Sequence, residues 1–123
     1  MKVAVYGSLK KGYGNHRVMK NANGKYLYDA VSTDAHYILD GHSYPYINEA
    51  PSNPEKGKLS VEIYEVSEEG LPHLDSLEGH PTFYKREQRQ FSTPTGKVTA
   101  WLYIIQRKIE ANPVYKQDGV YIW

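Results

Sequence analysis

The chain has 123 residues, with 15 basic and 14 acidic side chains and a formal charge of +1. That length is expected to form one domain, 1–123, with a single core, and so near-neutral a chain lacks the positive field of a general nucleic-acid binder. The sequence contains no cysteine, which excludes disulfides, thiolate zinc sites and a cysteine nucleophile. Twelve tyrosines stand against two phenylalanines, a bias that suits half-buried strands and wet clefts, where the ring packs and the hydroxyl finds a partner. The apolar run of MKVAVYGSL is too short for a secretory signal, and no segment approaches the roughly 20 apolar residues of a membrane span. A soluble, cytoplasmic protein that does not engage a membrane is the expectation.

In chain order, Lys2 to Tyr6 reads as a strand that breaks into the glycine-punctuated stretch Gly7-Ser8-Leu9-Lys10-Lys11-Gly12. That stretch is either a plain turn with Leu9 in the core, or a bend whose backbone amides converge on an anion. Lys10 and Lys11 read as solvated. Asn15 is placed to cap a short helix. Lys25 to Ser32 and His36 to Leu39 read as strands, and residues 40–57, rich in Gly, Pro, Ser and Asn, as one long loop. Lys58 to Val66 alternates, with Leu59, Val61 and Ile63 on one side and Ser60 and Glu62 on the other. A short helix is expected over Pro72 to Glu78. Phe83 to Phe91 and Lys97 to Gln106 form a hairpin across Thr-Pro-Thr-Gly, and the tail from Ile109 reads as irregular. Many strands with few short helices predict an α+β fold, a small, mainly antiparallel β-barrel flanked by short helices.

The segment LPHLDSLEGHP, residues 71–81, carries the chemistry. At about 100° per residue, Leu71 and Leu74 define an apolar face and Glu78 projects between them. Leu77 extends that stripe, and Gly79 ends the helix. Burial disfavours the charged form of a carboxyl and raises its pKa from about 4.3 toward neutrality, where it can accept and return a proton. A salt bridge to a nearby cation, or a frayed helix end that reaches water, would explain the same pattern. His73 and His80 flank the segment without the spacing of a metal site, so no metal is expected.

Together, VYGSLKKGYGNH, GKLSVEIYEV, LPHLDSLEGHPTFYKRE and VTAWLYI resemble, in order and spacing, the γ-glutamylcyclotransferase-like superfamily, closest to its γ-glutamylamine cyclotransferase branch. The resemblance spans roughly residues 3–105. It implies a small barrel with a cavity at one end, lined by the YGSL loop. It places the catalytic general acid/base on Glu78 and substrate contacts on Tyr6, Gly7, Ser8, Leu9 and Tyr84. Arg86 falls on the same motif, with a ligand contact and a structural role equally open. For Tyr44 or Tyr46, a contact on the leaving-amine side and aromatic packing on the barrel are equally open, and Tyr115 and Tyr121 are candidates to close the cavity. The implied reaction is intramolecular: the substrate's α-amino group attacks its own γ-carbonyl, giving 5-oxoproline and a free amine, with no cofactor. The partner is therefore a small γ-glutamyl molecule rather than nucleic acid. The segment after Ile105 departs from the family pattern, which leaves the amine undetermined. A catalytically silent binding module of the same fold is the alternative, and a tyrosine-rich single-strand binder the more distant one. The oligomeric state is left open, a monomer included.

Overall fold

The computed structural model describes residues 1–6, 24–40, 46–78, 80–82, 84–105, 116–117 and 119–122. The elements among them are β1 (Lys2–Val5), β2 (Lys25–Ser32), β3 (Tyr37–Asp40), β4 (Tyr46–Glu49), β5 (Lys58–Glu65), α1 (Leu71–Glu78), β6 (Tyr84–Thr93), β7 (Gly96–Ile105), β8 (Lys116–Gln117) and β9 (Val120–Tyr121). Five strands run β1-β7-β6-β2-β5, and β5 pairs back onto β1, so the sheet closes into a barrel. Every neighbour is antiparallel except β1 and β7. Closure satisfies the backbone groups that an open sheet would leave at its edges.

The period-2 pattern read in β5 sorts its residues as expected. Leu59, Val61 and Ile63 are buried in a cluster with Ala4, Ala30, Phe91, Ala100, Leu102 and Ile104. The opposite faces of β1 and β7 present Val3, Val5, Tyr103 and Ile105 to a second cluster, which Leu71 and Leu74 of α1 cover. Ser67 starts the turn into α1: its Oγ accepts the Gly70 amide at 3.0 Å and its carbonyl accepts the Leu71 amide at 3.2 Å. Leu74 is fully buried, a contribution of roughly 2–3 kcal/mol.

Three sequence readings change. Residues 40–57 are not one loop, because β4 lies inside them and pairs antiparallel with β3. A four-residue strand is too short to show alternation, and Ile47 marks its buried side. The preceding strand is Tyr37–Asp40, one residue later than expected; His36 instead accepts the Ala50 amide through its carbonyl at 2.7 Å, closing that hairpin. The tail is not wholly irregular either: β9 pairs with β5 at Lys58 and Leu59. A Cβ on Gly57 would come within 2.7 Å of the Gly119 carbonyl, so glycine is what permits this approach. The β6–β7 hairpin keeps one register from Tyr84↔Ile105 to Thr93↔Gly96. Its turn is tightened by Thr93 Oγ1, which donates to the Gly96 carbonyl at 2.7 Å.

The edge of β5 carries two partners. β1 occupies it from Glu62 to Glu65, and β9 takes it over at Lys58 and Leu59. The chain of β1 therefore leaves the sheet after Val5, at the end of the barrel where β6 begins and β7 finishes. Because α1 follows β5 and returns alongside β1, it delivers its C-terminal residue, Glu78, to that same end.

Candidate active site

Tyr6 is the first residue beyond β1. Its hydroxyl donates to the Tyr103 carbonyl at 2.7 Å. Burial raises its pKa well above the usual tyrosine value, and neighbouring Tyr84 and Glu78 add to the rise, while a hydrogen bond from the Ile47 backbone opposes it. One hydroxyl thus links the exit of β1 to β7 and to the β3–β4 hairpin, next to Glu78.

Glu78 is half-buried, and burial alone pushes its pKa from 4.5 up to about 7. Among the described residues, no cation pairs with it and no donor hydrogen-bonds to it. Of the two bland explanations open at the sequence level, an ion pair to a described residue is not observed. A carboxyl in this condition is divided between its two protonation states at neutral pH, the property a general acid/base needs.

Beneath it lies a polar network that the sequence reading did not identify. Asp75 Oδ1 accepts from the Tyr103 hydroxyl at 2.7 Å and from Arg86 Nε at 2.9 Å. The Arg86 guanidinium carbon sits 4.5 Å from the centroid of the Trp101 ring. The Arg86 amide donates to His80 Nδ1 at 3.2 Å, and the His80 amide donates to the Asp75 carbonyl at 2.9 Å. Burial, followed by the bond to Asp75, raises the Tyr103 hydroxyl far above its ordinary value. A signal for Asp75 was available: it lies four residues after Leu71 and three before Glu78, on the same helical face.

The site residues expected from sequence divide as follows. Tyr6, Glu78 and Tyr84 fall at one end of the barrel, with Tyr84 buried in the cluster under α1. Gly7, Ser8 and Leu9 lie outside the described residues, as do the helix expected near Asn15, Gly79, Tyr44 and Tyr115. Arg86 lies between Asp75 and Trp101. Tyr121 is fully buried in the barrel core, and its hydroxyl donates to the Glu55 carbonyl at 2.6 Å. His73 is exposed, and one ring nitrogen of His80 is taken by the Arg86 amide.

Residues 3–122 match the family described as gamma-glutamyl cyclotransferase, AIG2-like. A relative from Methanocaldococcus jannaschii, provisionally named a gamma-glutamylcyclotransferase, is 37% identical over 102 residues, covering 82% of this chain and 81% of its own length. The gamma-glutamylcyclotransferase family protein YtfP of Escherichia coli is 33% identical over 110 residues, covering 89% of this chain and 87% of its own. The crystal structure of an AIG2-like protein from Mus musculus superposes with a TM-score of 0.79 at 26% identity, over 95% of this chain and 87% of that one. The chain belongs to the γ-glutamylcyclotransferase-like family, and its barrel is that family's fold.

Proposed function

We propose that this protein is a cyclotransferase of the γ-glutamylamine type, with Glu78 as its general acid/base. The observation that carries the reading is a half-buried carboxyl with a pKa of about 7 and no described counter-ion, placed beside Tyr6 where β1 leaves the barrel. Family membership supports the class of reaction. The amine-type substrate and the residue roles are this reading's own.

The substrate's α-ammonium is not nucleophilic until it loses a proton. Glu78 in its carboxylate form accepts that proton. The freed amine attacks the γ-carbonyl carbon, forming the ring C–N bond of 5-oxoproline. Collapse of the tetrahedral intermediate breaks the bond to the leaving nitrogen; Glu78 returns its proton to that nitrogen, the ring nitrogen gives up its second proton to the same amine, and the amine departs as its ammonium. No water is consumed and no nucleophile is required of the protein. Holding the amine against the carbonyl is worth an effective molarity on the order of 10⁵ M or more. In this reading the amides of Gly7, Ser8 and Leu9 receive the α-carboxylate, and Tyr6 and Tyr84 flank the substrate.

The test is release of 5-oxoproline from a panel of γ-glutamyl amines, γ-glutamyl-lysine among them, by the wild type and by Glu78→Gln. Glutamine keeps the shape and removes the base, so the rate is expected to fall at least ~100-fold. Equal rates would remove Glu78 from the mechanism, and no release from any member of the panel would favour a binding module.

A further inference from the structure

Asp75 and Glu78 share one face of α1 yet stand in opposite circumstances. Asp75 Oδ1 takes both the Tyr103 hydroxyl and Arg86 Nε, while Glu78 has no described partner. Arg86 is held at three points: by Asp75, by the Trp101 ring face and, through its own amide, by His80. Residues three apart on a helix have Cβ atoms about 5–6 Å from each other, a distance that an arginine side chain spans without moving its backbone. Among the described residues, Tyr6 at the end of β1 and Tyr103 on β7 feel the Glu78 charge; Asp75 lies three residues before it on α1, His80 two residues after it, Tyr84 on β6 neighbours Tyr6, and Arg86 on β6 is bonded to Asp75. Arg86 is the permanent cation in that set. Lys85 belongs to the opposite face of β6 and pairs with Glu87 at 3.2 Å.

We propose that Asp75 is a positioning residue: it holds Arg86 away from the Glu78 carboxyl, and by accepting the Tyr103 hydroxyl it fixes the helical turn that carries Glu78 against β7. The proposal rests on the reading of Glu78 as the proton acceptor, but the state of that carboxyl can be measured without turnover. A guanidinium released from Asp75 meets an unpaired carboxyl one turn further along the helix. Opposite charge at contact distance lowers a carboxyl pKa by roughly 1–3 units, which leaves Glu78 ionised and too weak a base for the α-ammonium.

The experiment follows the Glu78 side-chain carboxyl by ¹³C NMR through a pH titration, in the wild type, in Asp75→Asn and in Asp75→Asn/Arg86→Gln, alongside the pH profile of kcat/KM. In Asp75→Asn the Glu78 midpoint is expected to fall by at least about one unit. The acid limb of the profile moves to lower pH with it, and the plateau drops about tenfold. In the double variant, removal of the cation restores the midpoint to within about half a unit of wild type. A loss of packing alone would not move the midpoint in one variant and return it in the other. An unchanged midpoint in Asp75→Asn overturns the proposal. If Asp75→Asn does not fold, Asp75→Ser read against Asp75→Ser/Arg86→Gln decides in its place: a midpoint lowered in the first and restored in the second supports the proposal, and an unchanged midpoint in the first overturns it. Titrations that shift as expected in a protein that releases no 5-oxoproline would uphold the positioning role and refute the cyclotransferase reading.

Discussion

Two half-buried glutamates differ in one respect, and that respect separates a clamp from a site. Glu49 on β4 is gripped by Arg89 on β6, with Nε to Oε2 at 2.6 Å and the second guanidinium nitrogen to Oε1 at 2.7 Å. The bond to Glu49 raises the Arg89 pKa further, and the neighbouring Tyr37, fully buried, is pushed up to about 12 mainly by burial. Glu78 is similarly placed between core and solvent, without a described cation, and its pKa rises to about 7. A bidentate partner repays the desolvation of a carboxylate; without one, the cost appears as a tendency to hold a proton. The two are mechanically connected. Glu49 ties the β3–β4 hairpin to β6, and two residues earlier in β4 the Ile47 backbone reaches the Tyr6 hydroxyl beside Glu78.

Breaking the clamp should have the largest effect on stability. Arg89→Leu leaves Glu49 partly buried and unpaired, for an expected loss of about 3 kcal/mol in urea unfolding at pH 7. A loss under about 0.5 kcal/mol would place the pair in the class of solvated surface bridges and erase the distinction drawn here.

Glu78→Gln should act in the opposite direction, and only in one pH range. The folded state binds the Glu78 proton more tightly than the unfolded state, because burial raises the pKa from 4.5 to about 7. Below pH 4.5 the carboxyl is protonated in both states and carries no ionisation penalty. As pH rises from 4.5 to about 7 the unfolded chain releases the proton first, so stability falls, and above 7 the full penalty is present. Its ceiling is on the order of 3 kcal/mol; allowing for residual exposure, Glu78→Gln should stabilise the fold by about 2 kcal/mol at pH 8 and leave it unchanged near pH 4. A variant that gains stability as it loses activity would mark Glu78 as a residue kept for chemistry. Equal stability at pH 8 would show that the carboxyl is solvated.

The sequence made these regions legible to different degrees, for physical reasons. Glu78 showed because it interrupts an apolar stripe, and helical periodicity makes such an interruption visible. The β5 alternation showed because an eight-residue strand with one buried face repeats its pattern several times. Nothing local announced Glu49: β4 has four residues, and its partner Arg89 is forty positions away, on a strand whose other charged residues look like a solvated face. Arg86 was open between two roles because the sequence does not reveal that Asp75 and Trp101, eleven residues before it and fifteen after, converge on one side chain. The barrel itself was legible from many strands with few short helices, but its strand order and the handover from β1 to β9 along the β5 edge were hidden for the same reason. Both are pairings of distant segments, and periodicity carries no information about partners.

Tyr6→Phe is the finest probe of the connection between the two regions. Phenylalanine keeps the ring packing and removes the hydroxyl that donates to the Tyr103 carbonyl at 2.7 Å and meets the Ile47 backbone. The expected cost is about 1 kcal/mol, the net value of an ordinary hydrogen bond. That carbonyl belongs to a strand already laddered to β6, so the barrel itself should survive. What loosens is the point where β1 leaves the sheet toward residues 7–9, and in the cyclotransferase reading KM should rise more than kcat falls. Arg89→Leu should add to this loss in stability by less than the sum of the two single changes, because each loosens the same β3–β4 hairpin, one through Glu49 and the other through the Ile47 backbone. Full additivity would mean that the clamp at Glu49 and the site at Glu78 are held independently.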